Sequence, residues 1–226
     1  MLEGFDPVRV RAICFDFDGV ILESADIKTQ AFLDLFSDCD ESVREAIRAY
    51  HLEHQGVSRY DKFEWIYREV LQLPLTAAVS RELGQRFSEL ALSKILTTPF
   101  VPGALETVRL LSAHMPLAIV SGTPQDELRE IVNARGLASF FLEVIGTPRK
   151  KPEAVSALLL QWQIPAAELL VVGDANTDHE AAMANGAQFI ARTTPVTQGE
   201  WCERVRWHMP NLEPLRDAFA ALWVAV

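Results

Sequence analysis

The alternation of short apolar runs with helical segments from Pro102 onward limits the possible folds more than any other feature. Apolar runs buried on both faces and joined by crossover helices are typical of a parallel sheet with helices on both sides. We therefore predict a doubly wound α/β fold, with ligands bound beyond the carboxyl ends of its strands. The apolar runs cover residues 117–120, 144–145, 169–172 and 189–191.

A long stretch with helical spacing separates this region from an earlier strand, which we predict at residues 8–15. In this stretch apolar side chains recur every three or four residues, as at Phe63, Ile66 and Val70. The pattern indicates an inserted helical unit. We predict a core domain of residues 1–24 and 99–226, and a small α-helical domain of residues 25–98, which we call the cap.

Charge and composition exclude several classes of protein. A formal net charge of −10 argues against nucleic-acid binding, which needs a basic surface to displace counterions from phosphates. Because no apolar run is long enough to span a bilayer and no signal peptide is evident, we predict a cytoplasmic protein without membrane partners. Its three cysteines lack metal-ligand or redox spacing and are predicted to be free thiols. Monomer and homodimer both stay open.

Polar groups follow the predicted strands where each strand ends, so they should meet at one edge of the sheet. Four carboxylates in one place repel one another unless a cation lies between them, and Mg²⁺ prefers such oxygen ligands together with substrate phosphate. The sequence therefore predicts a Mg²⁺ site for a small phosphorylated substrate. The groups are Asp16 and Asp18 after the first strand, Ser121, Gly122 and Thr123 after the second, Lys151 after the third, and Asp174 and Asp178 after the fourth.

Several of these motifs also have a local explanation. Residues 16–19, Asp-Phe-Asp-Gly, are by themselves typical of a turn. Thr123 is a candidate N-cap of the next helix, and residues 177–180 are interpreted as a capping box with Glu180 as its acid. Lys151 is different, because a cation at a helix start opposes the helix dipole. Its position favours a lysine that faces a ligand.

Taken in order, the motifs resemble the haloacid dehalogenase-like (HAD) phosphohydrolase superfamily. Its members show a strand with DxDG, a strand ending in Ser or Thr, a Lys before Pro, and GDxxxD, and all four occur here. The helical insertion matches the small cap of that superfamily. The resemblance implies a Rossmann-like core and a Mg²⁺-dependent phosphatase that hydrolyses a small phosphomonoester, such as a phosphosugar, through an aspartyl-phosphate intermediate.

The resemblance also implies a role for each motif residue. Asp16 is the expected nucleophile, and Asp18 is the expected general acid and base, which must be protonated when substrate binds. Ser121 and Lys151 are expected to stabilise the phosphoryl oxygens during catalysis. The expected substrate ligands are Ser121, Gly122, Thr123 and Lys151, and the expected Mg²⁺ ligands are the Asp16 carboxylate, the Asp18 backbone carbonyl, Asp174, and Asp178 directly or through water.

The cap segment at residues 56–59, Gly-Val-Ser-Arg, resembles β-phosphoglucomutase and phosphoglycolate phosphatase-type members. This makes Arg59 a candidate ligand for a second phosphate and leaves a phosphosugar mutase as an alternative function. A helix N-cap at Ser58 followed by a solvated Arg59 is the structural alternative. Lys28 stands where the mutases carry histidine and Gly173 where they carry glutamate, and both departures favour the phosphatase.

Other chemistry has weaker support. Phosphonate hydrolysis in this superfamily needs a cap lysine that forms a Schiff base, but Lys28, Lys62 and Lys94 are interpreted as surface residues. His51 and His54 lie one helical turn apart without an evident third metal ligand, so we interpret them as histidines at the edge of the core. A non-catalytic phosphate-binding or regulatory module stays open as a hypothesis of another class.

Overall fold

A computed structural model describes residues 2–224 of the chain. Its strands are β1 (Ala12–Phe15), β2 (Leu117–Pro124), β3 (Glu143–Thr147), β4 (Leu169–Gly173), β5 (Gln188–Arg192) and β6 (His208–Met209). They form one parallel sheet in the order β3-β2-β1-β4-β5-β6. The order reverses direction at β1, where doubly wound sheets bind their ligands. The predicted doubly wound α/β fold is confirmed.

Helices cover both faces of this sheet. In chain order, the helices of the structure, including those of the inserted unit, are α1 (Ala25–Leu35), α2 (Glu41–Glu53), α3 (Arg59–Trp65), α4 (Ala77–Thr97), α5 (Ala104–Ser112), α6 (Gln125–Ala134), α7 (Lys151–Trp162), α8 (Asn176–Asn185), α9 (Gln198–Arg204) and α10 (Glu213–Val224). Alternate residues of β1 enter opposite apolar layers: Ile13 and Phe15 join one cluster, and Ala12 and Cys14 join the other. Because side chains alternate between two buried faces, every residue of β1 is apolar and the strand appears in the sequence as a continuous apolar run.

Helices α1 to α4 form the inserted unit between β1 and α5. Phe32 lies at its centre, with ring centroids 5.7 Å from Phe63 and 4.8 Å from Phe87, so side chains of α1, α3 and α4 share one aromatic core. The cap boundaries at residues 25 and 98 stay a prediction.

Two arginines of the core hold the segments that connect it to the cap. Arg135 donates from Nη1 to the backbone carbonyls of Leu96 at 2.8 Å and Thr98 at 2.7 Å, just where α4 ends. Arg192 donates from Nη2 to Oε1 of Glu23 at 2.6 Å, before α1 begins. The Arg135 contacts satisfy carbonyls that the end of α4 leaves without helical partners, and the Arg192–Glu23 contact ties the segment before α1 to β5.

The first strand is shorter than the predicted 8–15. Pro7–Arg9 forms a 3₁₀ turn that the Asp6 side chain caps by accepting from the Val8 backbone N–H at 3.1 Å. Val8 is exposed as a result. Among the described helices, none combines the length and apolarity that crossing a membrane requires.

Candidate active site

The strand register brings the predicted motifs to one place. Phe15 pairs with Ile119 of β2 and with Val172 of β4, so β1 ends between these two strands. The Asp16 N–H donates to the Val172 carbonyl at 2.9 Å, which fixes the backbone where the strand gives way to a turn. At Gly19 φ is +79°, and a Cβ there would lie 2.1 Å from Oδ2 of Asp174. Only glycine fits both requirements.

Three of the predicted acids converge on one lysine. Asp16, Asp174 and Asp178 each place a carboxylate oxygen within 4.8 Å of the others. Lys151 Nζ lies 3.2 Å from Asp16 Oδ2 and 2.6 Å from Asp178 Oδ1. Burial and then the Asp178 charge raise the pKa of Asp16 to about 7, and burial and the Asp16 charge raise the pKa of Asp174 well above its usual value. One ammonium therefore does not neutralise this cluster.

The cluster fits a bound Mg²⁺. Asp16 Oδ1 is buried and has no hydrogen-bond donor within residues 2–224, although a buried carboxylate oxygen needs a partner. A hard cation that prefers carboxylate oxygens would supply that partner. Asp178 is already engaged, because its Oδ1 accepts from Lys151 and its Oδ2 accepts from the Ala175 N–H at 3.2 Å. These contacts favour Asp16 and Asp174 as direct carboxylate ligands.

The Asp18 side chain belongs to a second network. Lys28, on cap helix α1, donates from Nζ to Asp18 Oδ2 and to Thr123 Oγ1, the latter at 2.6 Å, and Ser24 donates to Asp18 Oδ1 at 2.6 Å. Burial disfavours the carboxylate form, but the Lys28 ammonium and the surrounding hydrogen bonds outweigh burial and hold the pKa of Asp18 below its ordinary value. The interpretation of Lys28 as a surface residue was wrong.

Two of the local explanations are also wrong. Helix α6 begins after Pro124 as its N-cap, and the buried Thr123 side chain instead donates to Asp18 Oδ2 at 3.0 Å. Ser121 Oγ accepts from the Thr123 N–H at 3.1 Å, so these two residues form a polar end of strand β2 beside Asp18. Helix α8 begins at Asn176, and Asp178 takes the capping position that was predicted for Glu180, which is exposed. The capping acid is thus a member of the acidic cluster.

The cap lies directly on this end of strand β2. A Cβ at Gly122 would lie 2.4 Å from the backbone oxygen of Gly56, a cap residue, so this contact allows no side chain. The Thr177 hydroxyl donates to the Gln55 carbonyl at 3.5 Å. Cap and core therefore enclose the acidic cluster from opposite sides.

Arg59 connects the cap to the core. Its Nη2 lies 2.6 Å from Oε1 of Glu127 on α6, its Nη1 donates to Ser88 Oγ at 2.8 Å, and Ser88 in turn donates to Glu127 Oε2 at 2.6 Å. The guanidinium is buried and lies 4.3 Å from the centre of the Phe87 ring. Ser58 caps α3 as predicted, but the prediction of a solvated Arg59 was wrong. Its substrate-binding role stays a prediction.

Glu127→Ala should lower the free energy of unfolding by about 3 kcal/mol, because it leaves the Arg59 guanidinium buried without a counter-ion. Urea unfolding followed by circular dichroism measures the change. Glu130→Ala, an exposed glutamate on the same helix, is the matched control and should change stability by less than about 0.5 kcal/mol. Equal losses in the two variants would contradict the role of the Arg59–Glu127 pair.

A cavity of about 60 Å³ lies between the cap and the acidic cluster. This is space for on the order of five water-sized groups. Arg59 and Gly122 line it, together with two residues whose role the sequence did not indicate, Lys62 and His51. Both are buried, so the interpretation of Lys62 as a surface residue was wrong, and His51 lies inside the cavity wall. Lys62 precedes Phe63 in an amphipathic helix, and nothing in this pattern distinguishes a buried lysine from a solvated one.

Comparison with known proteins is consistent with this geometry. Residues 13–192 match the family model of the haloacid dehalogenase-like hydrolases. A phosphoglycolate phosphatase of Vibrio parahaemolyticus is 28% identical over 206 residues, with 84% of this chain and 87% of the relative covered.

Solved structures share the fold. CbbY from Rhodobacter sphaeroides, in complex with xylulose-1,5-bisphosphate, superposes with a TM-score of 0.72 at 15% identity, covering 89% of this chain and 94% of that one. The hydrolase YfnB from Bacillus subtilis, bound to magnesium, superposes with a TM-score of 0.65 at 19% identity, covering 92% and 97%. At these identities the likeness extends to the fold alone.

Proposed function

The chain belongs to the haloacid dehalogenase-like hydrolase family, and from this premise we propose that it is a Mg²⁺-dependent phosphatase of small phosphomonoesters. One observation carries the proposal: the buried Asp16 carboxylate has one oxygen without a donor in the described structure and lies 3.2 Å from Lys151. Such a carboxylate is suited to hold a cation through one oxygen and to attack phosphorus with the other. The relatives named phosphoglycolate phosphatases support the same reaction class.

In the proposed reaction, Asp16 attacks the phosphorus atom of the bound ester. The new bond joins a carboxylate oxygen to phosphorus while the bond from phosphorus to the substrate oxygen breaks, and an alcohol leaves. Water then attacks the same phosphorus atom and gives a proton to Asp18, the bond from phosphorus to the Asp16 oxygen breaks, and inorganic phosphate leaves. The Asp16 carboxylate is thereby restored, so the protein is unchanged after one turnover.

Asp18 handles the protons in both steps, as general acid toward the leaving oxygen and as general base toward water. In the described structure Lys28 stabilises the carboxylate form of Asp18, contrary to the expectation that Asp18 is already protonated, so Asp18 has to take up a proton as the anionic substrate binds before it can act as the acid. Thr123 and Ser24 fix the orientation of the Asp18 carboxylate by donating to its two oxygens. Lys28 is therefore proposed as a positioning residue.

The remaining residues bind charge. Lys151, Ser121 and the backbone N–H group at Gly122 are proposed to hold the phosphoryl oxygens, while the Thr123 N–H orients the Ser121 hydroxyl. Bound at the cluster, Mg²⁺ would neutralise charge on the carboxylates and on the phosphoryl group. The proposed metal ligands are the carboxylates of Asp16 and Asp174 and the backbone carbonyl of Asp18, with Asp178 acting through water.

A screen of phosphometabolites tests the proposal, with free phosphate measured in the presence of Mg²⁺ and again after chelation by EDTA. We expect release from at least one small monoester with Mg²⁺ and none without it. Chromatography of the organic product separates hydrolysis from the alternative mutase reaction, which would yield an isomerised sugar phosphate with little free phosphate. No release from any ester would contradict the phosphatase and favour a non-catalytic phosphate-binding module.

A further inference from the structure

Lys62 is buried, and no carboxylate in the described part of the chain is paired with its amino group. Its Nζ lies 3.1 Å from Nδ1 of His51 and 5.3 Å from the centre of the Phe32 ring, and the residue is only 2% exposed. Within residues 2–224 it forms no ion pair with a carboxylate. Removing an ammonium from water without a compensating charge is costly. Stability therefore does not explain the burial of Lys62, and a function in the cavity would.

Every other cation that reaches the cavity has an anionic partner. Lys28 is paired with Asp18, and Arg59 is paired with Glu127. Lys151, which lies beside the cavity, is shared by Asp16 and Asp178. Lys62 thus differs from its neighbours, because no carboxylate of the described residues occupies its amino group, which stays available to a ligand.

His51 orients this lysine. Burial, and then the charges of Lys62 and Lys28, lower the pKa of His51 to about 3, so the imidazole stays neutral and accepts at Nδ1. Its other nitrogen then carries the proton and is a donor. Because both residues line the same cavity as Asp16 and Asp174, the pair presents donors to a molecule whose phosphoryl group lies at the acidic cluster.

We propose that Lys62, held by His51, binds an anionic group on the leaving part of the substrate, either a carboxylate or a second phosphate. This inference rests on the proposed phosphatase function and specifies its substrate class. Because Lys62 and Asp16 line the same cavity, we expect the anion and the ester oxygen of such a substrate to be few bonds apart. The proposal also assigns to Lys62 the binding of a second anion, which the sequence had suggested for Arg59. The Arg59 guanidinium is already neutralised by Glu127.

Matched substrate pairs test the proposal. The first pair is 2-phosphoglycolate and 2-hydroxyethyl phosphate, which differ by the carboxylate, and the second is propane-1,3-diol bisphosphate and its monophosphate. Lys62→Met should lower kcat/KM for the anionic member of the preferred pair by about 10- to 100-fold and leave the neutral member nearly unchanged. The pair that responds identifies the anion. Lys94→Met, at an exposed cap lysine, is the control and should change neither member.

A binding measurement separates failure of this inference from failure of the phosphatase. Calorimetry with the Asp16→Asn variant, with and without Lys62→Met, measures the affinity for each of these compounds in the absence of turnover. If Lys62→Met alters neither binding nor kcat/KM for any anionic member, the inference is overturned even though hydrolysis persists. If no ester is hydrolysed, the proposed phosphatase function is contradicted. The effect of Lys62→Met on the measured affinities then tests the role of Lys62 by itself. Lys62→Gln, which keeps a donor without the charge, replaces the methionine variant if that one does not fold.

The pH dependence of stability gives an independent check. Burial, with the nearby charges of Lys28 and Lys151, lowers the pKa of Lys62 from 10.5 to about 7, while His51 is neutral in this range. Between these values the unfolded chain binds one more proton than the folded protein, so Lys62 makes stability rise with pH. Relative to the wild type, Lys62→Met should be more stable at pH 7, and the difference should shrink toward pH 10. A constant difference in urea midpoints would show that Lys62 is charged throughout.

Discussion

Lys151→Met is expected to lower the rate of Mg²⁺-dependent phosphate release by about 10³-fold. Lys151 is the ammonium shared by Asp16 and Asp178, and it is buried at the point where the proposed reaction would accumulate negative charge as phosphorus is attacked. Burial opposes its charged form, but these two carboxylates outweigh burial and raise the pKa of Lys151, so it stays protonated. The measurement is kcat at saturating Mg²⁺ and substrate.

Lys150→Met is the matched control, because Lys150 precedes Lys151 and is exposed. It should leave kcat within about twofold of the wild type, since exposed charges are screened by solvent and salt. The Lys151 variant also leaves two buried carboxylates without their ammonium, so near-ultraviolet circular dichroism has to confirm that it is folded. A folded Lys151→Met protein with wild-type kcat would contradict the proposed role in charge stabilisation.

Asp16→Asn should have a still larger effect, with a loss of about 10⁴-fold or more in phosphate release. Asparagine matches aspartate in shape, but its amide is a poor nucleophile and a neutral metal ligand. The variant should fold, because it removes one of three mutually repelling acids and leaves the Asp16 backbone contact to Val172 in place. Activity is measured on the ester that the screen selects, with mass spectrometry to exclude deamidation back to aspartate.

Asp126→Asn, an exposed aspartate on α6, serves as the control for loss of a carboxylate and should keep full activity. An Asp16→Asn protein that retains its folded spectrum but releases phosphate at the wild-type rate would remove Asp16 from the chemistry. If Asp16→Asn loses both its fold and its activity, Asp16→Glu replaces it in the measurement, because glutamate keeps the charge but displaces it by one methylene.

The parts of this site that could be predicted from sequence lie at strand ends. Asp16, Ser121 and Asp174 each follow a buried apolar run, and the carboxyl ends of parallel strands meet whatever the details of packing. Four such motifs in order therefore constrain one another, although each has a local explanation. The same logic is weaker at helix starts, where Asp178 and Glu180 both fit a capping pattern and only the backbone geometry identifies the capping acid.

The cap residues could not be assigned in this way. Lys28, Arg59 and Lys62 lie on helices whose charged positions are typical of a solvent-facing side, and the sequence does not specify which side meets the core. Lys28 reaches Thr123, 95 positions away in sequence, and Arg59 reaches Glu127 across 68 positions. Helical periodicity contains no information about such distant partners. The residues proposed to select the substrate are therefore harder to identify from sequence than those proposed to carry out the chemistry.

An attack by Asp16 on phosphorus is tested most directly with the Asp18→Asn variant and p-nitrophenyl phosphate. The nitrophenolate leaves without a proton, so the first step should proceed, whereas the second step lacks its general base and should stall. We predict a burst of one nitrophenolate per protein molecule, with one phosphoryl group on the peptide that contains Asp16 after acid quenching. Steady release of phosphate with neither a burst nor a modified Asp16 would contradict the account.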